Sequence, residues 1–353
     1  MDIFRTIDGQ VTKVVHDDKT ETAIKANRSM DGHVGRDGRV DTTEQDRGKY
    51  SVVISNSLGC RMRCQFCHLT MKGARYSRIG FDRICDNVIE AVEIAATRDL
   101  SLADRYVKLC WMGMGEDAIA RPGELVDITV RIASTLIERG LAIGIDGVDL
   151  GTVMPRRVGA GWDEWFGWLD RRLDDFPANP QMATRADGRS RFRLFYSLHS
   201  ATQQTRDRLI PGAMPLDNSL PRLVRFADDN GINLVFHMLL WSGINDTDEE
   251  LSQLERIIDQ YGLAHHELRL LRFNDCTLSS LQESPRFEEV AARMARIMPV
   301  KVQRSPGNEV KAACGQFIVR EFDPRLRERS ELLAITDVAA ATAEIMRHRQ
   351  NDE

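Results

Sequence analysis

The sequence predicts an α/β fold, a partial (β/α)6 barrel of the TIM type with a short N-terminal extension and a C-terminal helix. Short apolar runs alternate with longer amphipathic runs through six units, a pattern typical of parallel strands covered by helices. A loop rich in cysteine follows the first of these strands. Because functional residues of such sheets lie at the carboxyl ends of the strands, we expect the site at that edge.

Six apolar runs predict the strands of the barrel. They are Ser51–Ser55, Val107–Met112, Ile143–Gly151, Phe192–Leu198, Leu234–Leu240 and Leu268–Phe273. Six amphipathic runs predict the helices. They are Phe81–Thr97, Gly123–Arg139, Trp162–Phe176, Leu216–Asp229, Asp246–Tyr261 and Ser284–Ile297.

The chain is expected to divide into three parts. Residues 1–50 form an N-terminal extension that is partly loop, and within it the polar, Gly-rich stretch 31–48 is read as loop. Residues 51–322 form the barrel, with an insertion near 174–191, and residues 323–353 form a helical tail. A chain of 353 residues has ample length for a core of this size.

Composition narrows the class of protein. The net charge of -5 gives no general signal for binding polyanions. The chain has neither an apolar run of membrane-spanning length nor a signal-peptide core, so we expect no membrane contact and a cytoplasmic location, in the host if the chain is phage-encoded. The 7 cysteines are clustered, which in a reducing compartment indicates metal or redox chemistry rather than disulfides.

The stretch "SNSLGCRMRCQFCHLTMKG" places Cys60, Cys64 and Cys67 in the spacing C-x3-C-x2-C. A zinc site needs a fourth ligand, and His68 directly follows Cys67, where it is poorly placed to share a tetrahedral site. A chemically idle buried cluster is disfavoured because polar residues alternate with the thiols. The third interpretation is a 4Fe–4S cluster on three thiolates with one open iron. With Phe66 before the last cysteine, this spacing is the radical S-adenosylmethionine (SAM) signature, and we favour it over zinc.

Further strand ends carry candidate ligand contacts. "WMGMGED" offers glycines for close backbone approach and a carboxylate, Glu116, for an ammonium group. "YSLHSAT" places Ser197 and His199 at the end of the fourth strand, and "RFND" places Asn274 at the end of the sixth. Each stretch alone is equally compatible with a structural role.

Taken together, these motifs resemble the radical SAM adenine C2 methyltransferases of ribosomal and transfer RNA and their C8-methylating resistance relatives. The matching segments span Ser51 to Phe317 and are "GCRMRCQFCHLTMKG", "MGMGE", "SLH", "RFN" and "GNEVKAACGQF". The resemblance implies Cys60, Cys64 and Cys67 on the cluster and Cys314 at the methyl-accepting position. It implies SAM contacts from six residues: Gly115, Glu116, Ser197, Leu198, His199 and Asn274.

The sequence also departs from that family. The family's second cysteine, which resolves the covalent adduct on the first, falls at Val53, and a cofactor-contacting serine falls at Gly151. The N-terminal RNA-handling part is much shorter, since only 59 residues precede Cys60. These departures place methyl transfer in question, while the fold and cofactors remain expected.

Three functions are therefore left open. The one that the sequence favours is a radical SAM isomerase of the phage DNA-hypermodification type, which rearranges an amino-acid-modified thymidine from an N-linked to a C-linked form. The alternative is an adenosine C2/C8 methyltransferase acting on RNA, and the third is a non-catalytic iron–sulfur or zinc protein that binds nucleic acid. The enzymes would need a nucleic acid or modified nucleoside as substrate and an electron donor such as flavodoxin or ferredoxin.

Overall fold

The protein forms a mixed α/β fold with one large sheet, as predicted. The computed structural model describes residues 1–28, 32–37, 39–41, 46–116, 122–156, 161–176, 192–273 and 280–303, with the single residues 307, 310, 312, 331 and 332. Within them lie fifteen strands: β1 Asp2–Arg5, β2 Val11–Val15, β3 Glu21–Arg28, β4 Gly32–Val34, β5 Val40–Asp41, β6 Asp46–Val53, β7 Ser57–Leu58, β8 Ser77–Arg78, β9 Tyr106–Trp111, β10 Gly144–Thr152, β11 Phe192–Ser197, β12 Asn233–Leu239, β13 Glu267–Leu271, β14 Val300–Gln303 and β15 Glu331–Leu332.

Helices connect the central strands and cover the sheet. Those described are α1 His68–Met71, α2 Phe81–Ala96, α3 Pro122–Glu138, α4 Trp162–Asp170, α5 Gln203–Leu209, α6 Leu216–Asp229, α7 Asp248–Gln260 and α8 Phe287–Met294. All six predicted strands and all six predicted helices are present, with bounds shifted by a few residues. The helix predicted for 162–176 ends earlier, at Asp170.

The centre of the sheet is parallel and open. Strands β6, β9, β10, β11, β12, β13 and β14 lie side by side in that order and pair in parallel. Antiparallel strands flank both edges, β3 next to β6 and β4 next to β14. The two edges of the parallel run therefore do not pair with each other, which agrees with the predicted partial barrel.

Strand residues alternate between an apolar outer face and a charged inner face. On β13, Leu268 and Leu270 belong to the apolar core, while Glu267 and Arg269 face inward and pair with each other. On β14, Lys301 pairs with the same Glu267 at 2.8 Å. The run "VKVQ" of β14 was not predicted as a strand because its inward residues are polar and its apolar signal is only two residues long.

The N-terminal extension is more ordered than the sequence suggests. Strands β1, β2 and β3 form an antiparallel meander that continues the main sheet through β6. The polar stretch 31–48, predicted as loop, contributes β4, β5 and the start of β6. Each of these segments pairs with a neighbouring strand, and that strand satisfies the backbone hydrogen bonds of a polar sequence that has no strand-like apolar pattern.

The C-terminal tail differs from the prediction at the two residues that can be described. Glu331 and Leu332 form β15 and pair antiparallel with β1, whereas the sequence predicts them within a helix. The backbone of β1 thereby gains ladder partners on its outer edge. The rest of 323–353, and the predicted insertion from residue 177 onward, lie outside the described residues.

No helix of the described part of the chain is long and apolar enough to cross a membrane.

Candidate active site

The cysteine loop leaves β6 at the carboxyl edge of the sheet. Cys64 is buried, and Cys60 and Cys67 are partly exposed. The Cys67 backbone N–H donates to the Cys64 carbonyl at 3.0 Å, and the Gln65 N–H donates to the Leu209 carbonyl at 2.9 Å. The loop is therefore fixed both within itself and against the end of α5.

A glycine allows the loop to turn at its start. Gly59 has φ of +65°, and a Cβ built there would lie 2.5 Å from the Arg75 carbonyl oxygen. A side chain would need both a left-handed backbone and a space that the chain already occupies. The residue before Cys60 is thus fixed as glycine by the packing of the loop on itself.

The thiols influence one another electrostatically. Burial raises the pKa of the Cys64 thiol well above its usual range, and the neighbouring Cys67, Cys60 and Glu116 add to the increase, while Arg206 opposes it. Such a thiol does not ionise alone near neutral pH, but a bound metal displaces its proton. Soft sulfur donors on one loop suit an iron–sulfur cluster, so the donor set fits the predicted cofactor.

The spacing of the thiols disfavours a single zinc ion. A zinc ion with Zn–S bonds of about 2.3 Å draws its thiolates to within roughly 4 Å of one another. Among the described residues, the group with its ligand atoms all within 4.8 Å is Asp228, His265 and His266, and the three cysteines do not form such a group.

The glycine loop after β9 packs directly on the segment that leads to the cysteines. The Gly113 N–H donates to the Ile54 carbonyl at 2.9 Å, and a Cβ at Gly113 would lie 2.5 Å from that same oxygen. Gly115 has φ of +117°, and a Cβ there would overlap Asn56 Oδ1 at 1.8 Å. These glycines therefore permit the close approach of two loops of the chain. From the sequence we expected them to permit the close approach of the backbone to a ligand.

Glu116 is buried at the end of this loop and is held by the next strand. Its Oε1 accepts a hydrogen bond from Thr152 Oγ1, and its Oε2 accepts one from the Val153 N–H at 3.0 Å. Glu116 is also among the residues that line a cavity with Asn56, Tyr76 and apolar side chains of α2 and α3. A carboxylate fixed in this way is a suitable acceptor for an ammonium group.

His199 lies on the inner side of the loop after β11. Its ring centroid is 4.5 Å from that of Phe66, which lies between two of the cysteines. Its Nδ1 accepts a hydrogen bond from the Leu239 N–H at 3.1 Å. Burial, and secondarily the charge of Arg206, lowers the pKa of His199 to about 3. The imidazole is therefore neutral, and its proton resides on Nε2.

Eight of the ten predicted site residues lie in the described part of the chain. Ser197 ends β11 and is partly exposed, and the Leu198 N–H donates to the His237 carbonyl at 3.0 Å. Asn274 and Cys314 lie outside the described residues. The residue before Asn274 is described: the Phe273 ring packs edge-on against Trp241 with centroids 4.6 Å apart.

Val53 and Gly151, the two positions where the sequence departs from the family that it resembles, both lie in the described part of the chain. Val53 packs in an apolar cluster with Val310 and Ala312, which precede Cys314 in the sequence. A Cβ at Gly151 would lie 2.8 Å from Met112 Cγ, so a serine there requires Met112 to move. In this chain, neighbouring side chains thus occupy the space around both Val53 and Gly151.

Sequence reasoning missed two residues of this edge. Thr152 anchors Glu116, and Arg206 lies buried under the loops after β10 and β11. Neither has a motif around it. Their positions follow from contacts between strand ends that are distant in sequence, so only the tertiary structure reveals them.

No protein-family model matches the chain. Among curated proteins, it is 26% identical over 282 residues to the "Probable dual-specificity RNA methyltransferase RlmN 3" of Opitutus terrae, covering 77% of this chain and 67% of that protein. It is 25% identical over 319 residues to the protein named RlmN of Prochlorococcus marinus strain NATL1A, covering 89% and 78%.

A solved structure extends the likeness to the fold. A radical SAM methyltransferase from Sphaerobacter thermophilus matches with a TM-score of 0.60 and 21% identity, over 90% of this chain and 80% of that one. These similarities confirm the predicted fold class and the predicted resemblance to the RNA adenine methyltransferases. The chain therefore resembles the RlmN-type RNA methyltransferases in sequence and a radical SAM methyltransferase in fold.

Proposed function

We propose that this chain is a radical SAM methyltransferase that acts on a nucleobase of RNA, with adenosine as the substrate class. The observation that carries the proposal is the likeness to proteins named RNA methyltransferases over 77% and 89% of the chain. This ranks methyl transfer above the isomerisation that the sequence alone favoured. An RNA substrate and an external electron donor such as flavodoxin or ferredoxin belong to the same proposal.

The site residues receive their roles within this proposal. Cys60, Cys64 and Cys67 hold the cluster, and Glu116 accepts the ammonium group of SAM while Thr152 and Val153 keep its carboxylate in place. When bound, the cluster and SAM supply a 5′-deoxyadenosyl radical.

The remaining cofactor contacts lie at neighbouring strand ends. His199 is neutral and offers the Nε2 proton as a hydrogen-bond donor. Gly115, Ser197, Leu198 and Asn274 complete the predicted set of SAM contacts. Cys314 is the proposed methyl acceptor, and Val310 and Ala312, shortly before it, pack against Val53 at the start of the cysteine-bearing loop.

A specific observation favours a second candidate, the isomerase acting on a modified thymidine. Val53 is apolar, and its neighbour in register on β9 is Cys110. Burial, and secondarily Asp149, raises the pKa of Cys110 to about 12, so this thiol stays protonated. Neither Val53 nor Cys110 thus provides a thiolate that could resolve an adduct on Cys314. An isomerase forms no such adduct and needs no resolving thiolate.

Product analysis separates the two reactions. The reconstituted enzyme is supplied with SAM, a reductant and either an adenosine-containing RNA or a modified thymidine, and the cofactor products are quantified by chromatography. Methyl transfer by this family's route consumes one SAM as methyl donor and one as radical source, so S-adenosylhomocysteine and 5′-deoxyadenosine should both accumulate with methylated RNA. S-adenosylhomocysteine should be absent with the Cys314→Ala variant.

Two results would contradict the proposal. One is turnover of the thymidine substrate without S-adenosylhomocysteine, which would establish the isomerase instead. The other is formation of 5′-deoxyadenosine with no change in the mass of any RNA base, which would leave a radical enzyme with a different substrate. Because Cys110 is held as a thiol, Cys110→Ala should leave both product ratios unchanged and serves as the matched cysteine control.

A further inference from the structure

Arg206 is a fully buried cation beneath the candidate site. It lies on α5, where its Cζ is 4.8 Å from the centroid of the Tyr196 ring, and its guanidinium donates to three backbone carbonyls. Nη1 donates to Ser197 at 2.6 Å and also to Leu198, and Nη2 donates to Val153 at 3.0 Å. These carbonyls belong to the ends of β10 and β11, the same strand ends that carry His199 and the N–H that holds Glu116.

The charge of Arg206 has no anionic partner among the described residues. None of the ion pairs there involves it, and its Nε is buried without a hydrogen-bond partner. A guanidinium remains charged inside proteins, and a buried charge is costly unless an opposite charge compensates it. Carbonyl oxygens stabilise its N–H groups but do not neutralise it.

The helix that carries Arg206 packs against the cysteine loop. The carboxyl end of α5 contacts this loop through the 2.9 Å hydrogen bond from the Gln65 N–H to the Leu209 carbonyl. Gly212, just beyond, faces the Met62 carbonyl, which a Cβ would approach to 3.2 Å. Arg206 also donates to the carbonyl of Leu198, and the ring of the next residue, His199, lies with its centroid 4.5 Å from that of Phe66, between two of the cysteines.

A 4Fe–4S cluster on three thiolates carries a net negative charge, and reduction by one electron makes it more negative. A fixed positive charge nearby in a medium of low dielectric stabilises the reduced form more than the oxidised form. It therefore raises the reduction potential, which makes the electron from an external donor easier to accept.

We propose that Arg206 is the buried counter-charge of the cluster, a positioning residue that raises the cluster's reduction potential while it holds the ends of β10 and β11 together. The proposal rests on the cluster assignment within the proposed function and not on which reaction follows. No motif in the sequence points to Arg206 in this role.

The test is the midpoint potential of the cluster, measured by redox titration followed by electron paramagnetic resonance. Arg206→Gln removes the charge, Arg206→Lys keeps it, and Arg208→Gln removes an exposed arginine from the same helix as a control. For Arg206→Gln we expect the equilibrium constant for reduction to fall about tenfold, a shift of about 59 mV to more negative potential. Arg206→Lys and Arg208→Gln should stay near the wild-type value.

The outcomes separate this proposal from the cluster assignment. If the wild-type protein binds no cluster, the assignment of Cys60, Cys64 and Cys67 fails, and this inference fails with it. If the cluster forms and Arg206→Gln leaves the potential unchanged, or Arg206→Lys lowers it equally, the counter-charge role is overturned and Arg206 only ties the strand ends.

Should Arg206→Gln not fold, the Lys variant still decides. Its ammonium loses its proton in alkaline solution, so its cluster potential should decrease as pH rises, relative to the wild-type protein, whose guanidinium does not titrate. Parallel pH dependence of the two proteins would overturn the proposal.

Discussion

The cysteines of this chain differ at the residue scale in what surrounds their sulfur atoms. Cys60 and Cys67 contact two apolar clusters, one around Trp241 and one around Leu69 and Met114. Cys85, by contrast, lies in the main core on α2, where burial raises the pKa of its thiol. Only the first group is both accessible to iron and close to other thiols.

We expect each cysteine of the loop to be required for the cluster. Replacing Cys60, Cys64 or Cys67 by Ala removes one thiolate with no substitute among its neighbours, so iron content and reductive cleavage of SAM should both be lost. Iron analysis and the absorbance of the anaerobically reconstituted protein give the readout. Cys85→Ala should keep its iron, and SAM cleavage surviving in all three loop variants would disprove the assignment.

Glu116 provides a second test at this scale. Replacing it by Ala removes the acceptor proposed for the SAM ammonium group, and SAM binding should weaken by about 1.5–3 kcal/mol, the range for a hydrogen bond to a charged group. Equilibrium dialysis of the cluster-containing protein measures the affinity. Thr152→Val removes only one bond to the carboxylate and should weaken binding less; equal losses in both variants would indicate a general disruption of the loop.

At the scale of elements, the inner face of the parallel strands is held by buried ion pairs. Asp149 on β10 accepts two hydrogen bonds from Arg193 on β11, at 2.8 Å and 2.6 Å, and lies 3.3 Å from the ammonium of Lys108 on β9. Burial alone would raise the pKa of Asp149, but Arg193 and Lys108 together hold it well below its usual range. Burial and Arg193 in turn lower the pKa of Lys108 to about 8.

Removing Asp149 should therefore be costly. Asp149→Ala leaves Arg193 and Lys108 buried without compensation, and we expect the free energy of unfolding to fall by about 3–5 kcal/mol. Urea denaturation gives the value. Asp163→Ala, which breaks an exposed pair with Arg222, is the matched control and should cost at most about 1 kcal/mol. Similar losses in the two variants would show that the buried pair contributes no more than a surface pair.

The same pair predicts a pH dependence. Because the pKa of Asp149 is lower in the folded than in the unfolded protein, its contribution is complete above about pH 4, the ordinary range of Asp. It decreases as pH falls below that value and the unfolded chain binds the proton. The free energy of unfolding should fall less steeply below pH 4 in Asp149→Asn than in the wild-type protein, and identical slopes would contradict the assignment.

On the scale of the whole molecule, one continuous sheet joins the N-terminal meander to the parallel strands. Phe4 on β1 packs with Val310 and Ala312, and β3 pairs with β6 along its length. The extension predicted for residues 1–50 therefore shares both hydrogen bonds and apolar contacts with the strands that carry the site. We expect the two to unfold together.

Tryptophan fluorescence tests this because all five tryptophans lie beyond residue 110. Phe4→Ala should reduce the free energy of unfolding by about 3–5 kcal/mol, and the tryptophan signal should report the loss although the substitution lies in the extension. Ile7, which is 92% exposed in the same meander, provides the control, since Ile7→Ala should change little. An unshifted tryptophan transition in Phe4→Ala would mean that the extension unfolds separately.

The sequence by itself determined the parts of this protein that depend on local pattern. Alternating apolar and amphipathic runs predicted the six central strands and their helices, because burial against a helix layer imposes that periodicity on each segment. The spacing of the cysteines predicted an iron–sulfur loop, and the motifs around Glu116 and His199 predicted a site at one edge of the sheet. The location of that edge follows from parallel strands.

Only the tertiary structure decided which further strands complete the sheet and which side-chain contacts complete the site. The strands β1–β3 and β14, the support of Glu116 by Thr152, and the burial of Arg206 all arise from contacts between residues far apart in the sequence. An inward charge such as Lys301 interrupts the apolar pattern that a strand prediction needs, yet it is stable because the Glu267 carboxylate on a neighbouring strand compensates it. Such compensation is a property of the assembled sheet, so no single segment of the sequence carries it.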